Sequence, residues 1–557
     1  MDAVWTRQYP PGTPAEIDAD AFPSLVAIFE ESCRRFADRP AYHNLGATLS
    51  YADVERLSRQ FGAYLMSIGL VKGDRIALMM PNLLQYPVAM FGALRAGLTV
   101  VNINPLYTPR ELRHQLRDSG AKAILVLENF AHTLAQVRSE TPLEHIIITA
   151  VGDLAAFPRR TAVNFTVRRI KHLVPRYELP GAIKLRRALA AGRRCEFNPG
   201  TVGPQDIAFL QYTGGTTGVA KGSMLTHRNM VANLLQVGAF WKELIEPGRE
   251  VMITPLPLYH IFCLTCNCLV FMQHGALNVL ITNPRDIPAF ISELAKWQFS
   301  MITGVNTLYQ ALLSHPDFAR LDFSALKLGA AGGMALHPNV AEKWLAITGR
   351  PLVEGYGLTE ASPVIACNSY LAPRLGAVGL PLPSTQISIR NGDVEVAAGE
   401  SGELCVRGPQ VMLGYWKQPE ETGKVLTADS WLRTGDIATL DAGGMLRIVD
   451  RKKDLIIVSA FKVFPNEIET VVAEHPAVLE CGCIGVPDAR SGQAVKIFVV
   501  LREGSSLEQD DLRHYCRERL TGYKVPTYVE FRRALPKTNV GKILRRALAE
   551  EESSRAA

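Results

Sequence analysis

The sequence predicts an α/β protein with a large N-terminal domain of doubly wound, mostly parallel sheets plus a β subdomain, and a small, mobile α+β C-terminal domain. First, segments with strand and helix character alternate from residue 25 to residue 357, as in parallel sheets covered on both faces. Second, short strands separated by Gly/Pro turns follow Gly376. Third, the residues from Arg451 form a mixed unit of roughly 105 residues, a common domain size. Because 557 residues are too many for one core, we predict domains at 1–450 and 451–557.

Local signals justify the individual elements. Ser24 and Ser50 are placed to cap helices at Leu25–Phe36 and Tyr51–Ile68, and Pro109 suits the first turn of a helix that ends near Ser119. Short apolar runs bounded by turn residues predict strands. In the large domain these are Arg75–Met80, Thr99–Asn102, Ala123–Leu127, Ala208–Tyr212, Val251–Leu256, Ala276–Ile281, Phe299–Gly304, Leu326–Ala331, Leu352–Gly357, Thr385–Arg390, Gly402–Arg407 and Leu446–Asp450. In the small domain a strand is predicted at Val495–Leu501, between helices at Pro465–Glu474 and Gln509–Leu520.

Composition narrows the class of protein. Hydrophobic residues make up 47% and charged residues 20% of the chain, and the net charge is +6, which is ordinary for a globular enzyme. The first twenty residues lack the apolar core of a secretory signal, and no run of 18 apolar residues occurs, so we expect a soluble, cytoplasmic protein. Cys263, Cys266 and Cys268 lie in an apolar stretch without a second Cys/His pair nearby, which favours buried thiols in a helix over a metal cluster.

The most informative stretch is Tyr212–Gly222, with the sequence YTGGTTGVAKG, between a predicted strand and a helix predicted at Thr226–Gln236. Glycines let the backbone turn with its N–H groups pointing inward, while threonine hydroxyls and the Lys221 ammonium add donors and charge. This chemistry suits a polyphosphate. It is not the NTPase P-loop, because Ala220 precedes Lys221 and Gly222 follows it. A glycine-rich surface turn is the alternative.

A polyphosphate site also needs a carboxylate that can hold a metal ion. The metal ion offsets the negative charge of the phosphates and of any anionic co-substrate. The segment EGYGLTE, Glu354–Glu360, supplies such a carboxylate at a strand end. Thr359 can donate to a phosphate oxygen, Glu360 can hold Mg²⁺, and Gly355 and Gly357 let a ligand approach the backbone. The alternative is a strand end with a helix-capping Thr and Glu.

Four further features have a plain structural explanation when each is taken alone. Asp436, in a Thr-Gly-Asp turn, can accept hydrogen bonds from two ribose hydroxyls, or simply close the turn. Gly332-Gly333 reads as a turn. His260 reads as a core histidine. Lys542, in a basic C-terminal tail, reads as a solvent-exposed side chain.

The motifs taken together resemble the adenylate-forming superfamily of acyl-CoA synthetases, adenylation domains and firefly-type luciferases. In chain order they are NINPLYTPREL, YTGGTTGVAKG, PLYHIF, GVNTL, EGYGLTE, SGELCV, QVMLGYW, TGD, IVDRKKD, PNEIE, GVPD, AVKIFVV, LTGYKVP and NVGKILRR. The resemblance runs from about residue 25 to residue 548 and is closest to the bacterial long-chain fatty acyl-CoA synthetases.

This resemblance implies a ligase that converts a medium- or long-chain fatty acid and ATP to acyl-AMP and pyrophosphate, and then to acyl-CoA and AMP, with Mg²⁺ and with CoA as co-substrate. The residues implied in nucleotide binding are Thr213, Gly214, Gly215, Thr216, Thr217, Gly218, Lys221, Gly332, Gly355, Tyr356, Gly357, Asp436 and Arg451. The implied catalytic residues are Lys542, which stabilises developing charge, Glu360 on the metal, Thr359, and His260, which positions the acyl carboxylate. Lys453 matches the hinge, and Ser459, Ala460 and Phe461 match the tunnel for the pantetheine arm of CoA.

Two residues depart from the family pattern. The family has glycine where this chain has Ala460, and Lys462 replaces a more usual asparagine. An added methyl group at a position of close approach puts thioester formation in doubt and leaves adenylation untouched. A rival interpretation is therefore a fatty acyl-AMP ligase that passes its acyl group to a carrier protein. A catalytically idle, membrane-associated acyl-binding protein is a second rival, although the intact Lys542, Glu360 and Asp436 speak against it.

The segment 159–194 has a different character. It contains eleven Lys or Arg against one acid, Glu178, with apolar residues interleaved. We expect peripheral contact with anionic lipid on the inner face of the membrane, and the alternative is a solvated basic insertion. No nucleic-acid motif accompanies the segment, so nucleic acid is not expected as a partner. The sequence leaves the chain-length preference and the oligomeric state open, a homodimer included.

Overall fold

Two large, mostly parallel sheets form the centre of the molecule. A computed structural model describes residues 4–213, 220–459, 461–488, 491–538 and 541–556. In spatial order the first sheet contains Gly414–Tyr415, Lys221–Thr226, Ile207–Thr213, Thr99–Ile103, Arg75–Met79, Ala123–Leu127, His145–Thr149 and Ile183–Lys184. The second contains Leu380–Pro381, Val364–Cys367, Leu352–Gly357, Leu328–Gly332, Met301–Gly304, Val251–Thr254, Leu277–Leu280, Pro40–Asn44 and Ala47–Ser50. The central strands of both sheets pair in parallel, and antiparallel strands close their edges.

Both sheets are buried on both faces. Along the strand Arg75–Met79, Ile76 and Leu78 point into one core, while Ala77 and Met79 point into another. In the second sheet, Met252 and Ile253 of the strand Val251–Thr254 likewise point into two different cores. Side chains alternate across a strand, so this division places helices on each side of each sheet. The predicted fold class is confirmed.

Helices begin where the sequence supplies caps. The Ser50, Thr108 and Thr226 hydroxyls each accept a hydrogen bond from the backbone N–H three residues later, and each is part of a reciprocal capping box. The α-helices are Leu25–Arg35, Tyr51–Ser67, Gln85–Arg95, Pro109–Ser119, Ala131–Val137, Arg159–Phe165, Leu185–Gly192, His227–Phe240, Ile261–Cys263, Val270–Gln273, Ile287–Leu294, Asn306–Ser314, Pro338–Thr348, Pro419–Val425, Pro465–Ala473, Gln509–Arg517 and Arg545–Ala556. π-Helical turns occupy Thr166–Ile170 and Leu264–Leu269. Within the described ranges, no helix is both long and apolar enough to cross a bilayer.

Two smaller sheets follow. One is antiparallel and contains Val394–Glu395, Gln386–Asn391, Ser401–Arg407, Leu432–Leu440 and Leu446–Arg451. The other contains Phe461–Val463, Ile456–Val458, Gly492–Leu501, Val478–Asp488 and Tyr528–Phe531, and it has a separate core with the helices that follow Arg451. The residues 452–455 link the two sheets. The predicted boundary between residues 450 and 451 lies at the end of the strand Leu446–Arg451, just before this link, and the division into 1–450 and 451–557 stays a prediction.

The structure adds elements that local patterns did not predict. The strand Lys221–Thr226 lies between the glycine loop and the helix at His227, and the strand Val478–Asp488 forms a long hairpin with Gly492–Leu501. The thiols of Cys263, Cys266 and Cys268 are buried around a π-helical turn, as expected of structural thiols.

Candidate active site

The glycine loop joins two paired strands at the edge of the first sheet. Thr213 ends one strand, Lys221 begins the next, and the two residues pair across the antiparallel ladder. Gly214, Gly215, Thr216, Thr217 and Gly218 lie outside the described residues. The ammonium of Lys221 forms an ion pair with Glu421 and lies 5.0 Å from the ring centroid of Tyr415. These two contacts fix the Lys221 side chain at the residue where the loop ends.

Glu360 lies one turn beyond the strand Leu352–Gly357, in the short 3₁₀ helix Thr359–Ala361. The Tyr415 hydroxyl donates to its Oε1 at 2.8 Å, and the backbone N–H of Met412 donates to its carbonyl. In the described part of the chain this carboxylate forms no ion pair. A carboxylate with a free oxygen beside the Thr359 hydroxyl has the hard oxygen chemistry that suits Mg²⁺.

A buried carboxylate lies at the other end of the cleft. Asp436 is 2% exposed, Nε of Arg451 is 2.7 Å from its Oδ1, and the Tyr356 hydroxyl donates to its Oδ2 at 2.5 Å. Burial raises the pKa of Asp436, and Arg451 opposes this change. Each oxygen keeps a second lone pair, so the carboxylate can still accept from two hydroxyls.

Lys542 comes from the C-terminal unit and lines the same cleft. Desolvation in the cleft, and then the charge of Arg451, lower the pKa of Lys542 to about 8, while Asp436 acts in the opposite direction. The Lys542 side chain is exposed to solvent, as expected of a lysine in a C-terminal basic tail, but the solvent it faces is that of the cleft. A Cβ at the preceding Gly541 would lie 2.7 Å from the Thr307 hydroxyl of the large lobe, and a side chain 106 positions after Asp436 thereby shares its electrostatic environment.

His260 lies between the two ends of the cleft, immediately before the short helix Ile261–Cys263. Its Nδ1 accepts the Phe262 backbone N–H at 3.4 Å. Burial, and then Lys542, lower the pKa of His260 to about 4, so the ring is neutral at pH 7. A neutral ring can orient a substrate by hydrogen bonding without carrying charge.

The glycines of the site differ in what they accommodate. A Cβ at Gly332 would lie 3.1 Å from the Phe262 ring, whereas at Gly355 the nearest atom would be 3.6 Å away. At Gly357 a Cβ would lie only 2.0 Å from the Pro363 carbonyl oxygen. Gly357 is thus required by the chain's own backbone. Gly333, with a φ of +79°, turns the chain in open space beside the cleft.

The hinge candidate Lys453 lines the cleft, whereas the described tunnel candidates do not. Lys453 is in the link 452–455, where burial lowers its pKa. Ser459 has a φ of +57°, and Phe461 stacks on Tyr523 with ring centroids 4.4 Å apart. Ala460 lies outside the described residues. Neither Ser459 nor Phe461 lines the cleft in this arrangement.

Arg545 joins the link to the C-terminal unit. Its guanidinium pairs with Asp450 at 2.9 Å, Asp454 at 3.3 Å and Glu469 at 2.5 Å. The Asp450 carboxylate also accepts the backbone N–H of Asn466 at 2.7 Å. These contacts hold the unit in the orientation that brings Lys542 into the cleft.

The cleft is one connected cavity of about 1580 Å³. Its polar part contains Thr213, Lys221, Gly332, Gly355, Tyr356, Gly357, Thr359, Glu360, Asp436, Arg451, Lys453 and Lys542. Its apolar part is lined by Val237, Phe240, Trp241, Leu256, Ile261, Cys266, Val364, Cys367, Val378 and Leu382.

Sequence reasoning missed several members of the cavity. Tyr415 gave no catalytic signal beyond the QVMLGYW motif, and Glu421, which pairs with Lys221 without lining the cavity, gave none. Glu354 was part of a predicted motif but was given no role of its own. Burial raises the pKa of Glu354 to about 8, and its carboxyl is therefore protonated at pH 7. The apolar lining comes from separate elements, and no spacing rule identifies it.

Comparisons with known proteins agree with this geometry. A family model described as AMP-binding enzyme matches residues 29–416, and a model of the AMP-binding enzyme C-terminal domain matches residues 467–542. A long-chain-fatty-acid–CoA ligase of Escherichia coli O157:H7 is 56% identical over 554 residues, 99% of this chain and 98% of that protein. One of Haemophilus influenzae is 51% identical over 561 residues, 99% of both chains. The crystal structure of ATP-bound MatB from Rhodopseudomonas palustris has a TM-score of 0.78 at 27% identity, covering 94% of this chain and 98% of that one. The resemblance of the motifs is thereby confirmed, and the chain belongs to the AMP-binding enzyme family of adenylate-forming enzymes.

Proposed function

We propose that this chain is a long-chain fatty acid–CoA ligase that uses ATP, Mg²⁺ and CoA. The observation that carries the proposal is the single cavity of about 1580 Å³, whose lining combines residues with phosphate, metal and ribose chemistry and a set of apolar side chains. A molecule that uses both parts of the lining has a carboxylate beside the charged residues and a long hydrocarbon chain among the apolar ones. The full-length similarity to long-chain-fatty-acid–CoA ligases supports the same substrate class.

In the first step a carboxylate oxygen of the fatty acid attacks the α-phosphorus of ATP. The bond from that phosphorus to the pyrophosphate oxygen breaks, and acyl-AMP forms. Lys221 and the glycine loop neutralise the phosphates, and Asp436 with Arg451 binds the ribose. Lys542 stabilises the charge that develops in the transition state, and His260 orients the carboxylate.

Glu360 and Thr359 are the residues that would hold Mg²⁺. When bound, the ion supplies positive charge to the phosphate oxygens. The protein supplies an oriented carboxylate, because the Tyr415 hydroxyl fixes one oxygen of Glu360 and leaves the other directed to a ligand.

In the second step the thiol of CoA attacks the acyl carbonyl of acyl-AMP. The bond from the acyl carbon to the phosphate oxygen breaks, AMP leaves, and the thiol proton passes to solvent. We propose that residues 451–557 are the mobile domain, that they turn about Lys453, and that Ser459, Ala460 and Phe461 then face the cleft. The absence of Ser459 and Phe461 from the lining of the cavity in this arrangement fits a step that needs a second orientation.

One assay series tests this function. Exchange of pyrophosphate into ATP, stimulated by palmitate, measures the first step, and palmitoyl-CoA formation measures the second. We expect both, with chain-length dependence across a panel of fatty acids. Exchange without thioester formation would indicate an acyl-AMP ligase that serves a carrier protein. Neither activity, in a folded sample that binds palmitate, would indicate an idle acyl-binding protein.

We propose, second, that the segment 159–194 contacts anionic membrane lipid. Ten of its eleven cations are exposed, although Arg168 pairs with Glu128. Phe165, Ile170 and Leu173 in this segment, and Phe157 just before it, are more than half exposed. Cations beside exposed apolar side chains suit a phosphate-rich lipid surface, which would place the protein on the inner face of the membrane.

Vesicle binding tests this contact. Phosphatidylcholine vesicles with and without phosphatidylglycerol are sedimented with the protein and with the double variant Phe165→Ser/Ile170→Ser. We expect binding to the anionic vesicles alone and a marked loss of it in the variant. Val394→Ser, a change at an exposed apolar residue of the β subdomain, is the control. Equal sedimentation of the double variant and the control would argue against the contact. Light scattering of the protein without vesicles tests separately for a homodimer.

A further inference from the structure

Tyr415 contacts both charged groups that the proposed function assigns to the triphosphate and its metal. Its hydroxyl donates to Oε1 of Glu360 at 2.8 Å, and its ring lies beside the ammonium of Lys221. We infer that Tyr415 is a positioning residue that orients the Glu360 carboxylate for Mg²⁺ while keeping Lys221 apart for the phosphates. This inference rests on the proposed function and deepens it.

The backbone fixes Tyr415 relative to both partners. The strand Gly414–Tyr415 pairs with the strand that begins at Lys221, with Tyr415 opposite Ser223. The Tyr415 N–H donates to the Thr422 hydroxyl at 2.9 Å, and the Met412 N–H donates to the carbonyl of Glu360 at 2.8 Å. The ring therefore has a defined position between two segments that are 139 residues apart in sequence, at 221 and 360.

Charge separation explains why such a residue is needed. A lysine and a glutamate in one cleft attract each other, and a direct ion pair would occupy the groups that must bind phosphate and metal. In the structure Lys221 pairs instead with Glu421, and Glu360 accepts from Tyr415. A tyrosine hydroxyl is protonated at neutral pH, because its ordinary pKa is about 10, so it acts as a donor to the carboxylate.

The variant Tyr415→Phe removes the hydroxyl and keeps the ring. A group that orients a metal ligand typically contributes a factor of ten or more to metal affinity, so we expect the Mg²⁺ concentration for half-maximal exchange to rise about tenfold. The KM for ATP at saturating Mg²⁺ should change little, because the ring beside Lys221 remains. Tyr415→Leu also removes the ring and should in addition raise the KM for ATP.

The control is Tyr51→Phe. The Tyr51 hydroxyl is buried and donates to the Ala276 carbonyl at 2.9 Å, outside the cleft. It tests whether loss of any buried tyrosine hydroxyl disturbs the enzyme. Thermal unfolding of all three variants verifies that each is folded.

Binding without turnover separates this inference from the proposed function. Electron paramagnetic resonance measures Mn²⁺ bound to the protein in the presence of ATP and in the absence of fatty acid. We expect weaker Mn²⁺ binding in Tyr415→Phe and Tyr415→Leu and unchanged binding in Tyr51→Phe. If Tyr415→Phe binds Mn²⁺ as Tyr51→Phe does and has the same Mg²⁺ dependence, the positioning role is wrong. If the wild-type protein binds Mn²⁺ with ATP but no fatty acid stimulates exchange, the proposed function fails and the role of Tyr415 is still decided by the binding data.

Discussion

Asp436 and Arg451 lie opposite each other on two antiparallel strands, and the guanidinium Nε of Arg451 is 2.7 Å from Oδ1 of Asp436. The pair is the last rung of the small sheet before the link to the C-terminal unit. It therefore places the carboxylate that we propose binds ribose and the start of the proposed hinge in adjacent positions of one sheet. The charge of Lys542 reaches the same carboxylate from the other side of the link.

Replacing Asp436 with asparagine should weaken nucleotide binding. A hydrogen bond to a charged group contributes about 1.5–3 kcal/mol, which corresponds to roughly a 10- to 100-fold increase in the Kd for ATP, measured by calorimetry without fatty acid. Asp317→Asn is the matched control, because Asp317 is exposed and pairs with Arg320, and neither residue lines the cleft. An unchanged Kd in Asp436→Asn would remove this residue from the nucleotide site.

Replacing Lys542 with alanine should abolish most adenylation but leave ATP bound. Loss of one group that stabilises transition-state charge costs about 100- to 1000-fold in rate. Single-turnover formation of acyl-AMP measures this loss, and calorimetry measures ATP binding. Lys524→Ala, which removes a surface lysine paired with Glu467 in the same unit, should behave as the wild type. Near-normal acyl-AMP formation in Lys542→Ala would falsify the assigned role.

The pH dependence should report the same lysine. Because the pKa of Lys542 is lowered to about 8, the side chain loses its proton, and with it its positive charge, as the pH rises through 8. The kcat/KM for ATP reports the free enzyme and should fall above about pH 8. The kcat should fall at a higher pH, because bound phosphates favour the charged amine. In Lys542→Arg the decline near pH 8 should be absent; its persistence would assign it to another group.

The length of the apolar cavity should set the length of the substrate. Val237 lies on the helix His227–Phe240 and lines the apolar part. The larger side chain in Val237→Trp should displace about two methylene groups of palmitate from the cavity. Each methylene left unburied costs about 0.8 kcal/mol, so the rate with palmitate relative to octanoate should fall about tenfold. Val237→Ala enlarges the cavity and should not discriminate against palmitate. Equal loss with both acids in the tryptophan variant would place the acyl chain elsewhere.

Ala460 should affect the second step alone. Its neighbours in the sequence are described: Ser459 has a positive φ, and Val458 pairs with Phe461 across two antiparallel strands. If the methyl group of Ala460 narrows the thiol path, Ala460→Gly should speed thioester formation severalfold with no change in pyrophosphate exchange. Ala460→Ser, which keeps a side chain, is the comparison. A thioester rate equal to that of the wild type would dismiss the obstruction.

The sequence by itself determined the class of fold and most of the elements. Helix starts at Ser24, Ser50 and Pro109 were predictable because capping depends on residues within one turn. The buried strand Ala123–Leu127 was predictable because its apolar run is continuous. The strand Lys221–Thr226 was missed because its pairing partner, and not its own pattern, makes it a strand. The motif order was enough to indicate the family.

Only the tertiary structure decided which groups meet. Tyr415 contacts Glu360 because its short strand adds to the edge of the first sheet, and Lys542 lines the cleft because the preceding Gly541 lies against Thr307 of the large lobe. The apolar lining of the cavity comes from helices and strands of different sheets. These contacts depend on strand order and on the orientation of the C-terminal unit. Strand order and the orientation of the C-terminal unit are determined by burial summed over the whole molecule. No short segment of the sequence therefore predicts these contacts.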